Sequence, residues 1–338
     1  MKVLVTGGLG FIGSHTVVEL QNNGFEVVII DNLSNSSLTV LDGITSITGK
    51  VPLFENIDLR DKMLVHNFFK KYTDIVGVIH FAASKAVGES VEKPLEYYEN
   101  NICSLLYLLQ ELQKLPEAHF IFSSSCTVYG QAQLMPIAEI TPIQPSLSPY
   151  GNTKQIGEEI IADVVKVSAV KSILLRYFNP IGAHSSAEIG ELPTGVPQNL
   201  VPFITQTGIG LRDELLVYGN DYTTVDGTCV RDYIHVVDLA NAHVIALQRL
   251  VNKKNSDSLE IFNLGTGTGS SVLEVIASFE KVSGQKLPYK IVERRVGDVI
   301  SAYADTEKAN KILGWKAVSS LDQAMASAWK WEQKIRNN

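Results

Sequence analysis

Short β-branched apolar runs alternate with helical patterns from residue 1 to about 180. That alternation predicts an α/β fold, a doubly wound parallel sheet carrying a smaller, discontinuous α/β substrate domain. Two further observations agree. A glycine-rich turn joins the first run directly to the first helical pattern, and past Pro180 the rhythm gives way to sequence rich in Gly, Pro, Asn and Thr. The boundaries that follow are 1–180 plus about 230–265 for a dinucleotide-binding domain, and 181–229 with 266–338 for a substrate domain.

Lys2-Val3-Leu4-Val5-Thr6 has the pattern of a buried parallel strand. Gly7, Gly10 and Gly13 follow, with helical spacing from Ser14 to Leu20. Glycines at that spacing let the backbone turn sharply, approach a pyrophosphate and pack helix on strand, with the phosphates at the helix N-terminus. The second strand, Glu26 to Ile30, ends in Asp31, 18 residues past Gly13. A carboxylate there accepts hydrogen bonds from an adenosine ribose and repels a 2′-phosphate, which predicts NAD rather than NADP. The bland alternative is an aspartate capping the next turn. Asn32 and Ser34 to Ser36 add polar groups beside it.

A third apolar stretch ends near Asp58, a candidate adenine contact. Gly77 to Ala83 reads as a fourth strand whose small-residue end leaves room near the cofactor. His80 within it reads as a core histidine rather than a catalyst, and Lys85 as either a phosphate contact or a solvated lysine. Glu96 to Leu112 reads as one helix, with Asn100 near its start. His119 to Phe122 is a strand that delivers Ser123-Ser124-Ser125 at its carboxyl end, where α/β sheets place ligands. Ser148-Pro149 reads as N-cap and first position of a helix running to 167.

Tyr150 and Lys154 then share one face of that helix. An ammonium beside a phenol favours the phenolate, as does the positive end of the helix dipole. Ser125 stands opposite as a hydroxyl able to orient a substrate oxygen. The three form a constellation for taking a proton off an alcohol. Against this, the Tyr-x-x-x-Lys spacing arises by chance, and Lys154 is also four residues from Glu158, a partner across a solvated face.

Ser172 to Tyr177, helix 236–250 and Ile261 to Gly265 complete the sheet layer, with later helices near 271–283, 305–313 and 321–335. A net charge of −7 with no basic run argues against a nucleic-acid surface. No apolar run approaches the roughly 20 residues of a membrane span. Cys103, Cys126 and Cys229 have neither disulfide nor zinc spacing, so the expectation is a reducing, cytoplasmic setting and no metal. Met1 leading straight into a strand leaves no room for a leader.

Taken together, the chain resembles the extended short-chain dehydrogenase/reductase superfamily, with its Rossmann sheet, and within it the UDP-glucose 4-epimerase family. The resemblance runs nearly end to end. It is carried by strings such as Val3-Leu4-Val5-Thr6-Gly7-Gly8, Lys85-Ala86-Val87-Gly88-Glu89-Ser90, Leu175-Arg176-Tyr177-Phe178-Asn179-Pro180 and Val230-Arg231-Asp232-Tyr233-Ile234-His235-Val236. It implies a C4 epimerase of UDP-hexoses that works through a transient 4-keto sugar, holds NAD permanently and forms a homodimer through helices 98–114 and 150–167. It also implies residue roles. Gly7, Gly10, Phe11, Ile12, Gly13, Asp31, Asn32, Leu33, Ser34, Asn35, Ser36, Asp58, Leu59, Phe81, Ala82, Ala83, Ser84, Lys85, Asn100 and Phe178 would line the NAD together with the catalytic Ser125, Tyr150 and Lys154. Lys85, Asn179, Asn199, Leu200, Leu216, Val217, Tyr218, Arg231, Arg295, Asp298 and Ala302 would hold the UDP-sugar. Arginine forks suit a diphosphate on chemical grounds alone, with surface salt bridging as the alternative. Ala302 stands where some bacterial members carry a tyrosine at the edge of the sugar pocket, an expectation of room for a C2 acetamido group.

Overall fold

A computed structural model describes residues 1–295 and 298–337; Val296 and Gly297, in the loop behind the Ala302 expectation, lie outside the described residues. In chain order the strands are β1 (Lys2–Thr6), β2 (Glu26–Asp31), β3 (Leu53–Asn56), β4 (Ile75–His80), β5 (Ala118–Ser125), β6 (Val170–Tyr177), β7 (Asn179–Ile181), β8 (Leu215–Tyr218), β9 (Val230–Arg231), β10 (Tyr233–His235), β11 (Leu259–Leu264), β12 (Ser270–Ser271), β13 (Tyr289–Val292) and β14 (Ser301–Ala302). Seven of them form one sheet in the order β11-β6-β5-β4-β1-β2-β3, and every pairing in it is parallel.

The two-residue period of a strand sorts the side chains of β1 onto opposite faces. Val3 and Val5 join a core with Val17, Val18, Leu239 and Leu247, from the helices Phe11–Asn22 and Val236–Val251. Leu4 joins the other core with Val65, Leu105, Leu108 and Ile161, from the helices Lys62–Lys71, Ser104–Leu112 and Pro149–Val167. Both faces are therefore covered, which is why these strands read as continuous apolar runs. The strand reversal between β1 and β4 opens the crevice at the carboxyl ends where an α/β sheet takes a ligand.

A further core gathers Val201, Ile204, Val217, Ile276, Phe279 and Trp329. Three elements differ from the sequence reading. Ala309, Leu313 and Trp315, within 266–338, pack into the first core, and the Trp315 indole donates to the Asp238 carbonyl at 3.0 Å. The fourth strand stops at His80, and Phe81 to Lys85 forms a loop. The segment read as one helix from Glu96 is helical without a break from Pro94 to Leu112, but it holds a π-helical turn over Glu99–Cys103. Such a turn closes its hydrogen bonds over five residues rather than four and so shifts the side chains around the helix, and here Asn100 and Asn101 both reach Ser84.

Candidate active site

The cradle between β1 and the first helix is built from absent side chains. Gly7 has φ +67°, and a Cβ on it would lie 2.8 Å from the Ala82 nitrogen. On Gly13 a Cβ would fall 2.1 Å from the Gly7 carbonyl oxygen. The Phe11–Asn22 helix opens at Gly10 with no side-chain cap and no acid in its first turn. Its positive end is thus left to an anion, and the backbone fits a pyrophosphate.

Asp31 closes one side of the cradle. Its Oδ2 accepts the Leu9 N–H at 3.1 Å, while Oδ1 accepts the Leu33 N–H at 3.0 Å and the Ser36 hydroxyl at 2.8 Å. Each carboxylate oxygen has two lone-pair sites, so Oδ2 keeps capacity for a ribose hydroxyl. Asp58 is clamped by Arg60 at 2.7 Å, and this bond first, then the Arg60 charge and Asn32, hold its carboxyl below the usual range. Leu59 is buried in the core. Asn35, beside Ser34 and Ser36, accepts the Thr194 hydroxyl at 2.9 Å.

The Pro149–Val167 helix begins as its sequence predicts. Ser148 accepts the Gly151 N–H at 3.1 Å, with Pro149 in the first turn. Tyr150 and Lys154 are both buried. The lysine ammonium, however, donates to the Ser123 carbonyl at 2.7 Å and lies 5.9 Å from the Tyr150 ring centre. Burial pushes its pKa down to about 8. The phenol departs from expectation more sharply. Burial drives the Tyr150 pKa well above its ordinary value, the neighbouring Tyr177 adds to this, and the Ser125 hydroxyl opposes it. Four-residue spacing put the two side chains on one face but could not specify where the ammonium points.

Nor does Lys154 pair with Glu158. That carboxylate takes the Arg176 guanidinium from β6 at 2.9 and 2.5 Å and the Ser124 hydroxyl from β5 at 2.5 Å. The pair is buried, and it ties the catalytic helix to the strand that ends in Ser125. An arginine inside an otherwise apolar strand was the signal for it. Asn101 supplies a second tie, bonding the Ser84 carbonyl at 3.0 Å and the Thr153 hydroxyl at 2.9 Å. Ser125 accepts the Thr127 N–H at 3.2 Å, so its own proton remains free to donate. His80 is buried and bonded to the Thr6 hydroxyl at 2.7 Å, with burial pushing its pKa down to about 3.

Arg231 lies beside Ala302 in the β9–β14 pairing and reaches Asp298 at 3.3 Å. The Arg295 guanidinium lies 3.8 Å from the Tyr218 ring centre. Asn179 starts β7, donating its N–H to the Asp232 carbonyl at 2.9 Å. Asn199 precedes Leu200, the first residue of the helix Leu200–Gly208. Leu216 is partly exposed while Val217 is core. The Phe178 ring packs with Val128, Tyr129 and Ile137. Ala302 is partly buried against that same cluster, as is Cys126 next to Ser125. Phe81 stacks on His243, with ring centres 4.7 Å apart, and Ala82 and Ala83 continue the loop over Gly7.

A family profile described as GDP-mannose 4,6 dehydratase matches residues 4–328. UDP-glucose 4-epimerase of Bacillus subtilis is 49% identical over 338 residues, covering 100% of this chain and 98% of that protein. Among solved structures, UDP-glucose-4-epimerase from Stenotrophomonas maltophila, with bound NAD and formylated UDP-arabinopyranose, is 46% identical at a TM-score of 0.96, covering 100% of this chain and 99% of that one. The Bifidobacterium longum enzyme in complex with NAD+ and UDP is 48% identical at 0.94, over the same shares. With this similarity running the full length of the fold and through the site, the chain belongs to the UDP-glucose 4-epimerase family.

Proposed function

We propose that the chain interconverts UDP-glucose and UDP-galactose by NAD-dependent inversion at C4. The observation that carries this reading is the meeting of Ser125, Tyr150 and Lys154 at the carboxyl end of β5, in the sheet whose β1 turn forms the glycine cradle. NAD, when bound, would supply a reversible hydride acceptor for C4 and a positive charge. The chain's own residues do the rest. Amides of the glycine turn take the pyrophosphate and Asp31 the adenosine ribose. Tyr150 would take the O4 proton while Ser125 donates to the same oxygen, and with the C4 hydride given up to the acceptor the sugar would be left as its 4-keto form. Because burial holds the free phenol protonated, its basicity depends on the positive charge that arrives with the cofactor.

Arg231 and Arg295 grip the diphosphate, so the keto sugar turns about its phosphate linkage and presents its other face. Tyr150 then returns the proton. A dehydratase needs an acid beside the serine, and Cys126-Thr127 stands there instead, with burial pushing the Cys126 thiol up to about 11. The small Ala302 beside Arg231 extends the substrate range to the C2-acetamido sugars. The substrate lies between the sheet and the core of Val201, Val217 and Phe279. The working form is a cytoplasmic homodimer. Half-buried Ile102, Leu106, Tyr107, Ile160 and Val164 on the two helices support the contact, and three unpaired cysteines support the compartment. Among the described residues no helix is long and apolar enough to cross a membrane.

The test is to supply UDP-galactose without added NAD and follow both sugar product and absorbance of reduced cofactor. Conversion to UDP-glucose with no net NADH supports the proposal. A keto-deoxy product, or a stoichiometric need for added cofactor, overturns it.

A further inference from the structure

Two of the residues assigned above to the substrate meet on a carboxylate that the sequence did not single out. Lys85, in the loop after β4, places its ammonium 3.3 Å from Glu191 Oε1. Asn199, at the entry to the helix Leu200–Gly208, donates its side-chain amide to the same oxygen at 2.6 Å. One residue comes from the dinucleotide-binding sheet and the other from the turn-rich segment past Pro180, so Glu191 joins the two sides of the crevice. Its own position is fixed from behind. The Trp331 indole donates to the Glu191 carbonyl at 2.8 Å, and the preceding Gly190 lies so close under Trp331 that a Cβ would fall 2.5 Å from the ring.

The carboxylate is mostly buried while Lys85 is half exposed. A nearly buried acceptor holding two exposed donors restrains the donors. Oε1 is shared between them, so displacing one leaves the other better served. We infer that Glu191 is a positioning residue that presets Lys85 and Asn199 across the mouth of the crevice, and thereby sets the affinity for the nucleotide sugar without entering the chemistry. The inference rests on the functional reading above for the roles of Lys85 and Asn199. The contact itself does not depend on it.

Three variants of the NAD-bound enzyme separate the parts. Glu191→Ala removes both acceptor and charge, Glu191→Gln keeps an acceptor for Asn199 but frees Lys85, and Glu191→Asp keeps the charge at shorter reach. Amine labelling of Lys85, followed by mass spectrometry, reads the contact independently of activity. It should rise about two- to fivefold in Glu191→Ala and Glu191→Gln, the factor a partly exposed ion pair supports. For UDP-galactose, KM should rise about three- to tenfold in Glu191→Ala with kcat within about twofold, the signature of lost uniform binding. Glu191→Gln should recover part of that KM, and Glu191→Asp should restore slow labelling at least in part. Unchanged labelling in the near-isosteric Glu191→Gln overturns the restraint. A fall in kcat at constant KM overturns the positioning role and moves the carboxylate into the chemistry. A parent enzyme that leaves UDP-galactose untouched refutes the functional reading, and the labelling result stands apart from it.

Discussion

Replacing Lys154 by methionine removes a buried ammonium and keeps a side chain of similar length. The fold holds this amine near pKa 8 rather than its ordinary 10.5, burial being the main cause and Glu158 opposing it. A difference of that size corresponds to about 3 kcal/mol of stability surrendered to keep the group charged. The sign follows from proton counts. Between 8 and 10.5 the unfolded chain binds more protons at this site than the folded one, so stability rises with pH across that window. The cost is present in full below 8 and has vanished above 10.5. Methionine loses the 2.7 Å bond to the Ser123 carbonyl, which offsets roughly 1–3 kcal/mol of the gain. Lys154→Met should therefore be neutral to about 2 kcal/mol more stable than the parent below pH 8, and lose that advantage by about 3 kcal/mol above 10.5. Urea unfolding of both proteins, freed of bound nucleotide, at a pH on each side of the window measures it. Activity should fall to near background, a residue kept for function at the expense of stability. A stability difference between the two proteins that stays constant across the window refutes the argument.

Tyr150→Phe should lower kcat by about 10²- to 10⁴-fold, the range for a general base, with UDP binding by calorimetry preserved. Glu158→Gln leaves the Arg176 guanidinium buried without its counter-charge and should cost about 3–5 kcal/mol in urea unfolding, whereas Glu158→Leu with Arg176→Met should recover most of it. Ala302→Tyr should cut kcat/KM for UDP-N-acetylgalactosamine by about tenfold or more in an epimerisation assay, the scale of a steric block in a pocket. UDP-galactose turnover should stay within a few-fold; equal losses on both sugars would remove Ala302 from the specificity argument.

How much of this was legible follows from what each feature depends on. The strand, glycine turn and helix at the N-terminus are local. Their signals, β-branched residues and then glycines at fixed spacing, act within a few residues of themselves, and the doubly wound sheet follows from repeating such units. The Ser148-Pro149 helix start is local in the same sense, and it is seen where it was expected. The π-helical turn over Glu99–Cys103 was not legible, since Asn101 within it bonds residues 17 positions before it and 52 after it.

The amino-acid sequence alone determined that Tyr150 and Lys154 share a face, that serines end β5, and that the first helix opens on a bare glycine cradle. Only the tertiary structure decided what these groups meet. It turned the lysine to the Ser123 carbonyl, gave Glu158 to Arg176 and brought Lys85 and Asn199 onto Glu191. It also raised the Tyr150 pKa, with burial as the largest cause and Tyr177 next. Spacing along a helix fixes direction, whereas partner and dielectric come from chains that are distant in sequence and adjacent only once the sheet has formed.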